Sequence, residues 1–225
     1  RLWHGVALGA DATIALDHPQ ADRLIALALS EIRRLEGIFS LYRPDSALAR
    51  LNRDGMLDAP PFELLDCLSL CGRLHQASGG RFDPTVQPLW QTHAEAWSAG
   101  HAPTPAQVQA ARALTGWEGV SAQPQMIRLA RPGMALTLNG VAQGVIADRV
   151  ADLLRAQGLF DVLVDTGEIA ARGHAPDGQG WPVTISNGQR LVLGERALAT
   201  SSPRGTVFDA QGVQGHILNP QSGLP

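Results

Sequence analysis

Lysine is absent from this sequence, and all 18 basic residues are arginine. That excludes Schiff-base chemistry, lysine-bound pyridoxal phosphate and the lysine of a P-loop. Cysteine occurs twice, at Cys67 and Cys71, which is too few for a zinc ribbon or a disulfide framework. Their i, i+4 spacing on a helical stretch reads as two small apolar core residues and is poor geometry for a disulfide. Charge is sparse, at 17% of residues, and 18 basic against 21 acidic groups leave a net charge of -3. No basic excess exists to carry non-specific binding to nucleic-acid phosphates. No apolar run reaches the ~18 residues that a membrane-spanning helix needs. The first residue is Arg1 and no secretory leader is in view, so this end of the chain does not report a compartment.

What is present is a foldable chain of 225 residues, 44% of them hydrophobic, enough for one good-sized domain with a real core. Apolar residues two apart from Val6 to Leu16 predict a half-buried strand. Helical periodicity predicts helices over 22–38, 61–77, 105–114 and 144–157, with "RFDPTVQPLW" as a turn and a short helix and another short helix capped by Asp45 or Ser46. Short strands are expected at 118–122, 126–130, 135–139, 160–165, 168–172, 181–186, 190–194, 196–200 and 216–219. Helices dominate the first half and strands the second, so the fold class is α+β.

Four polar, Gly-rich segments beside apolar elements are the candidate site walls. In "FSLYRPDSALARLN", Tyr42 reads either as a ring that stacks on a planar ligand or as a staple over the core. In "GGRFDPTV", the two glycines allow close approach of a ligand, while Asp83 before Pro84 reads equally as a turn or cap residue. "LTLNGVAQGVIADRVADLL" leads a strand through a Gly turn into a helix whose first N–H groups suit an anion, although G-x-x-x-G is not a dinucleotide fingerprint. In "ALATSSPRGTVFDAQGVQGHILNPQSG", Thr200, Ser201, Ser202 and Arg204 are phosphate-holding groups, and His216 is either structural or a base. Together these segments suggest a nucleotide-like ligand.

The order "SLYRPDS", "GGRFDPT", "TLNGVAQG", "DTGEI", "TSS", "HILNPQSG" resembles the ApbE-type FAD:protein FMN transferases over nearly the whole chain. The resemblance implies a periplasmic or cell-envelope, Mg²⁺-dependent enzyme. It would move FMN from FAD to a Thr or Ser hydroxyl of an acceptor flavoprotein and release AMP. By the same resemblance Leu8 stands where the family has a flavin-site methionine. Tyr42 would line the FAD, and Arg81, Phe82 and Asp83 would contact it. Thr137 falls at a family Asp, Gln143 at a family Lys or Glu, and Leu218 at a backbone contact to FAD. Gly140 would offer its carbonyl to Mg²⁺. His216 is the candidate base for the acceptor hydroxyl, since an imidazole of pKa about 6.5 suits that task. The family continues into a D-A-x-x-T segment that holds the metal, whereas these residues stop at Pro225. The expectation is therefore an ApbE-like domain over 1–225 without that segment. Two other readings share these residues: an FAD-binding protein without transfer, and an FAD pyrophosphatase that yields AMP and free FMN.

Overall fold

The computed structural model describes residues 1–7, 9–185 and 188–225. Helices and antiparallel sheets are both present, as the α+β reading requires. The chain divides into two compact units: residues 1–37 with 139–200, and residues 38–138 with 201–225.

The first unit is built on a five-stranded antiparallel sheet. Its strands are β1 (Leu2–Ala7), β2 (Ala10–Leu16), β6 (Val162–Asp165), β7 (Ile169–Arg172) and β10 (Arg196–Leu198), in the order β1-β2-β6-β7-β10. The single strand expected over 6–16 is two strands paired as a hairpin, with Ala7 opposite Ala10. In β2, Ala12, Ile14 and Leu16 are buried and the residues between them are not, which is the period-two pattern of a half-buried strand. β6 differs: Val162, Leu163 and Val164 are all buried, because the sheet is covered on both faces there. Leu163 and Ala171 pack with Trp181, Val183 and Leu193 of the hairpin β8 (Trp181–Thr184)–β9 (Arg190–Leu193). Helix α6 (Ala142–Ala156) packs against β6 and β7 and buries Ile146, Val150 and Leu154. Burying each such aliphatic side chain contributes ~1.5–3 kcal/mol. The other helix of this unit, α1 (Ala21–Phe39), presents Leu24, Ala28, Ile32 and Leu35 as a buried stripe.

The second unit holds α2 (Ala47–Asp54), α3 (Phe62–Ala77), α4 (Gln87–Ser98), α5 (Pro105–Arg112) and a three-stranded sheet. The strands are β3 (Met56–Asp58), β4 (Val120–Gln123) and β5 (Met126–Leu129), ordered β3-β5-β4. Ser46 caps α2, accepting from Ala49 N–H at 3.0 Å. Gly55 closes it at φ 71°, a left-handed conformation that suits glycine. Thr104 and Gln107 form a reciprocal capping box at the start of α5. Cys67 and Cys71 are buried free thiols on α3, as expected of core residues. A hydrogen bond with Cys67, and then burial, push the Cys71 thiol far above its ordinary range.

Two expected strands are absent. Residues 135–139 are not a strand; Asn52 occupies the backbone of Leu136 instead, donating to its carbonyl at 2.8 Å and accepting from its N–H at 2.7 Å. Residues 216–219 are irregular because Leu218 turns into a core cluster with Leu89, Val108 and Ala111. The end of the chain is held by His93, whose Nε2–H donates to Gly223 O at 2.9 Å and whose ring stacks on Phe208. No helix among the described residues is long and apolar enough to cross a membrane.

Candidate functional site

Within the second unit, three of the motifs meet. The loop from Gly79 to Phe82 turns on two left-handed glycines, at φ 61° and 77°. It is clamped where it ends: Phe82 N–H donates to Ser78 Oγ at 2.9 Å, and Phe82 O accepts from His75 Nδ1 at 2.9 Å. Arg81 is exposed and Phe82 is half-buried. Asp83 is only 8% exposed, and its Oδ1 accepts from both the N–H (2.9 Å) and the hydroxyl (2.6 Å) of Thr85. The cap role is therefore real: Asp83 starts the single turn Pro84–Val86. Thr137, half-buried, joins this wall through its N–H, which donates to Pro84 O at 2.8 Å. The C-terminal turn reaches the same loop through Gln221 Nε2, 3.5 Å from Gly79 O.

His216 belongs to this unit too. Its Nδ1 lies 2.8 Å from Thr206 O, and its N–H donates to that same carbonyl at 3.1 Å. A carbonyl can only accept, so Nδ1 carries a proton, and the neutral ring is the tautomer with Nε2 as its acceptor nitrogen. Leu218 sends its side chain into the core. Tyr42 is 83% exposed, which removes the core-staple alternative. Ser40 Oγ fixes its loop by accepting from the N–H groups of Tyr42 and Arg43.

Within the first unit, Gly140 lies in an exposed turn before α6. The N-cap residue of that helix, Val141, makes no side-chain capping bond. Gln143, in the first turn, donates from Nε2 to Thr166 O at 3.1 Å, which ties "NGVAQG" to "DTGEI". Glu168 Oε2 accepts from Thr200 N–H at 3.2 Å and so brings in the "TSS" segment. Burial raises the Glu168 carboxyl above the ordinary range; the Thr200 hydrogen bond opposes this, and the Asp165 charge adds to it. Thr200 is exposed, as are Ser201, Ser202 and Arg204 of the second unit. Leu8 lies outside the described residues.

A cleft of about 480 Å³ also opens in the first unit, lined by Asp17, Asp161, His174, Ala175, Pro176, Gly178 and Trp181. None of the residues singled out from sequence lines it. Sequence reasoning gave no role to Asn52, His75 or Thr85, whose partners lie seven residues away in one case and more than 30 in the others. For Thr85 a local signal did exist, since D-P-T is an Asx-type turn sequence.

A family model described as "ApbE family" matches residues 8–225. Curated relatives include a protein named FAD:protein FMN transferase from Salmonella typhimurium, 28% identical over 236 residues, covering 95% of this chain and 66% of that protein. Another of the same name from Vibrio cholerae is 33% identical over 203 residues, covering 83% and 60% respectively. The chain thus spans two thirds or less of the length of these relatives. Among solved structures, the flavin transferase ApbE from Vibrio cholerae matches with a TM-score of 0.83 at 26% identity, covering 100% of this chain and 78% of that one. The apo flavinyl transferase ApbE of Pseudomonas stutzeri gives a TM-score of 0.84 at 29% identity, covering 100% and 76%.

Proposed function

The chain belongs to the ApbE family, and we propose from this that it transfers FMN from FAD to a Thr or Ser hydroxyl of an acceptor flavoprotein, releasing AMP. The observation that carries the reading is the family match over residues 8–225, together with relatives named FAD:protein FMN transferase.

In the proposed reaction the acceptor oxygen attacks the FMN-side phosphorus of FAD. The bond from that phosphorus to the bridging oxygen breaks, and AMP leaves with the bridging oxygen. The hydroxyl proton goes to Nε2 of His216, a role supported by the Nδ1–H that Thr206 O holds in place. Such a reaction needs positioning and charge neutralisation more than a protein nucleophile, so the missing lysine and the buried thiols are no obstacle. The FAD contacts we propose, on the family resemblance, are Arg81, Phe82, Asp83, Thr137, Leu218, Tyr42 and Gln143. Leu8 is proposed on resemblance alone.

Magnesium fits less well. Among the described residues no group of three or more His, Cys, Asp or Glu side chains is placed to hold a metal ion, and the Gly140 carbonyl by itself is not a cage for a hard cation. The steps above are carried by the protein's own groups and the nucleotide. A periplasmic or cell-envelope setting is proposed on the family resemblance.

The test is to incubate the chain with FAD and a protein domain offering an acceptor Thr, with and without Mg²⁺, and to weigh the acceptor. An FMN-sized mass gain supports transfer. Free FMN with an unmodified acceptor indicates a pyrophosphatase, and FAD fluorescence quenching with no product indicates a binder.

A further inference from the structure

Thr85 is completely buried, and its hydroxyl sits between two partners. The oxygen accepts from Gly116 N–H at 2.6 Å and lies 2.6 Å from Asp83 Oδ1. An amide only donates and a carboxylate only accepts, so the single hydroxyl proton goes to Asp83. With the Thr85 amide also on Oδ1, that oxygen is doubly bonded to one residue. The other oxygen, Oδ2, is left facing His75 Nδ1 at 3.8 Å. His75 Nδ1 donates in turn to Phe82 O, and its ring lies 6.3 Å from that of Trp117, next to Gly116. The turn at residues 116–117 is thus tied to the Gly79–Asp83 loop through Thr85, and its Trp117 ring lies beside that of His75, which holds Phe82 O.

We propose that Thr85 is a positioning residue for flavin-nucleotide binding. Its hydroxyl fixes the Asp83 carboxylate, and with it the loop that presents Arg81 and Phe82. The inference rests on the flavin-transferase reading. It assigns Thr85 no contact with the nucleotide; the residue acts by removing freedom from groups that make contact. A valine of the same shape would leave the Gly116 N–H unpaired and Asp83 Oδ1 with only the backbone amide of residue 85 as donor.

The test measures FAD affinity by fluorescence quenching for the whole chain, Thr85→Val and Thr85→Ser, with the Gly116 amide exchange rate read by NMR in the ligand-free proteins. Expected for Thr85→Val is about a tenfold or greater loss of FAD affinity with faster Gly116 exchange. Expected for Thr85→Ser, which keeps the hydroxyl, is affinity within about twofold of the parent and slow exchange. If Thr85→Val does not fold, Thr85→Ala against Thr85→Ser isolates the hydroxyl, since both lack the methyl. A parent chain that binds FAD while the hydroxyl-free variant binds it equally well overturns the positioning role and leaves the flavin reading standing. A parent chain that does not bind FAD overturns both.

Discussion

Gln143 and Thr166 hold each other: Gln143 Nε2 donates to Thr166 O at 3.1 Å, and Thr166 Oγ1 donates to Gln143 O at 3.4 Å. This pair fastens the first turn of α6 to the β6–β7 turn. Gly167 makes room for it, because a Cβ there would lie 2.6 Å from Gln143 Nε2. The Gln143 carboxamide is thus a structural clasp as well as a proposed FAD neighbour. Gln143→Ala should lower stability by ~1–2 kcal/mol in chemical denaturation. Gln143→Glu should cost more at pH 7, where a carboxylate faces the Thr166 carbonyl. It should recover at low pH, where the protonated acid can donate again.

Asn52 answers both backbone groups of Leu136 across 84 residues of sequence. Asn52→Ala should cost ~2–3 kcal/mol, since a donor and an acceptor both lose their partner. Asn52→Asp should also destabilise at pH 7: it still accepts from the Leu136 N–H, but its second carboxylate oxygen faces the Leu136 carbonyl. Equal stability of Asn52→Ala and the parent in urea titrations would refute this account of the 134–138 segment.

Glu168 gives the pH dependence a sign. Its carboxyl is raised in the folded protein, by burial first. A raised folded value favours folding below the ordinary carboxyl range, and that stabilisation is lost as pH rises through the folded value. At neutral pH the ionised side chain therefore costs stability. Glu168→Gln can still accept from Thr200 N–H. It should be the more stable protein at pH 7, by under ~1 kcal/mol because the group is largely solvated. The difference should close below about pH 4. Thermal melts of the two proteins at pH 7 and pH 4 check it.

His216 should separate chemistry from binding. Removing a positioned base costs ~10²–10⁴ in rate. His216→Ala should therefore lose transfer by at least ~100-fold while FAD affinity stays within a few-fold. Parallel losses in rate and affinity would move His216 from base to ligand contact.

Much of this was legible in the sequence because the signals were local. A cap at Asp45 or Ser46, the glycine stop after α3 and the alternation of β2 each depend on neighbours within a few residues. The segment at 135–139 was misread because Leu136 and Leu138 alternate like a strand, while the partner that occupies Leu136 sits on a helix 84 residues earlier. Likewise "HIL" looks like a strand until Leu218 joins Leu89 and Val108 in one cluster. The Val6–Leu16 alternation carried no sign of the reversal that turns it into a hairpin, with Gly9 at φ 74°. Among site residues, the motifs named the loops, but not the pairings of Thr85 with Gly116 or of His75 with Phe82 that hold them.

The most direct measurement counts two products in one reaction of this chain with FAD, Mg²⁺ and an acceptor domain: AMP released, and acceptor carrying FMN. The account predicts equal amounts of the two, and at least ~100-fold slower formation of both with the His216→Ala protein. AMP formed with free FMN and an unmodified acceptor would contradict it, as would bound FAD that yields no product.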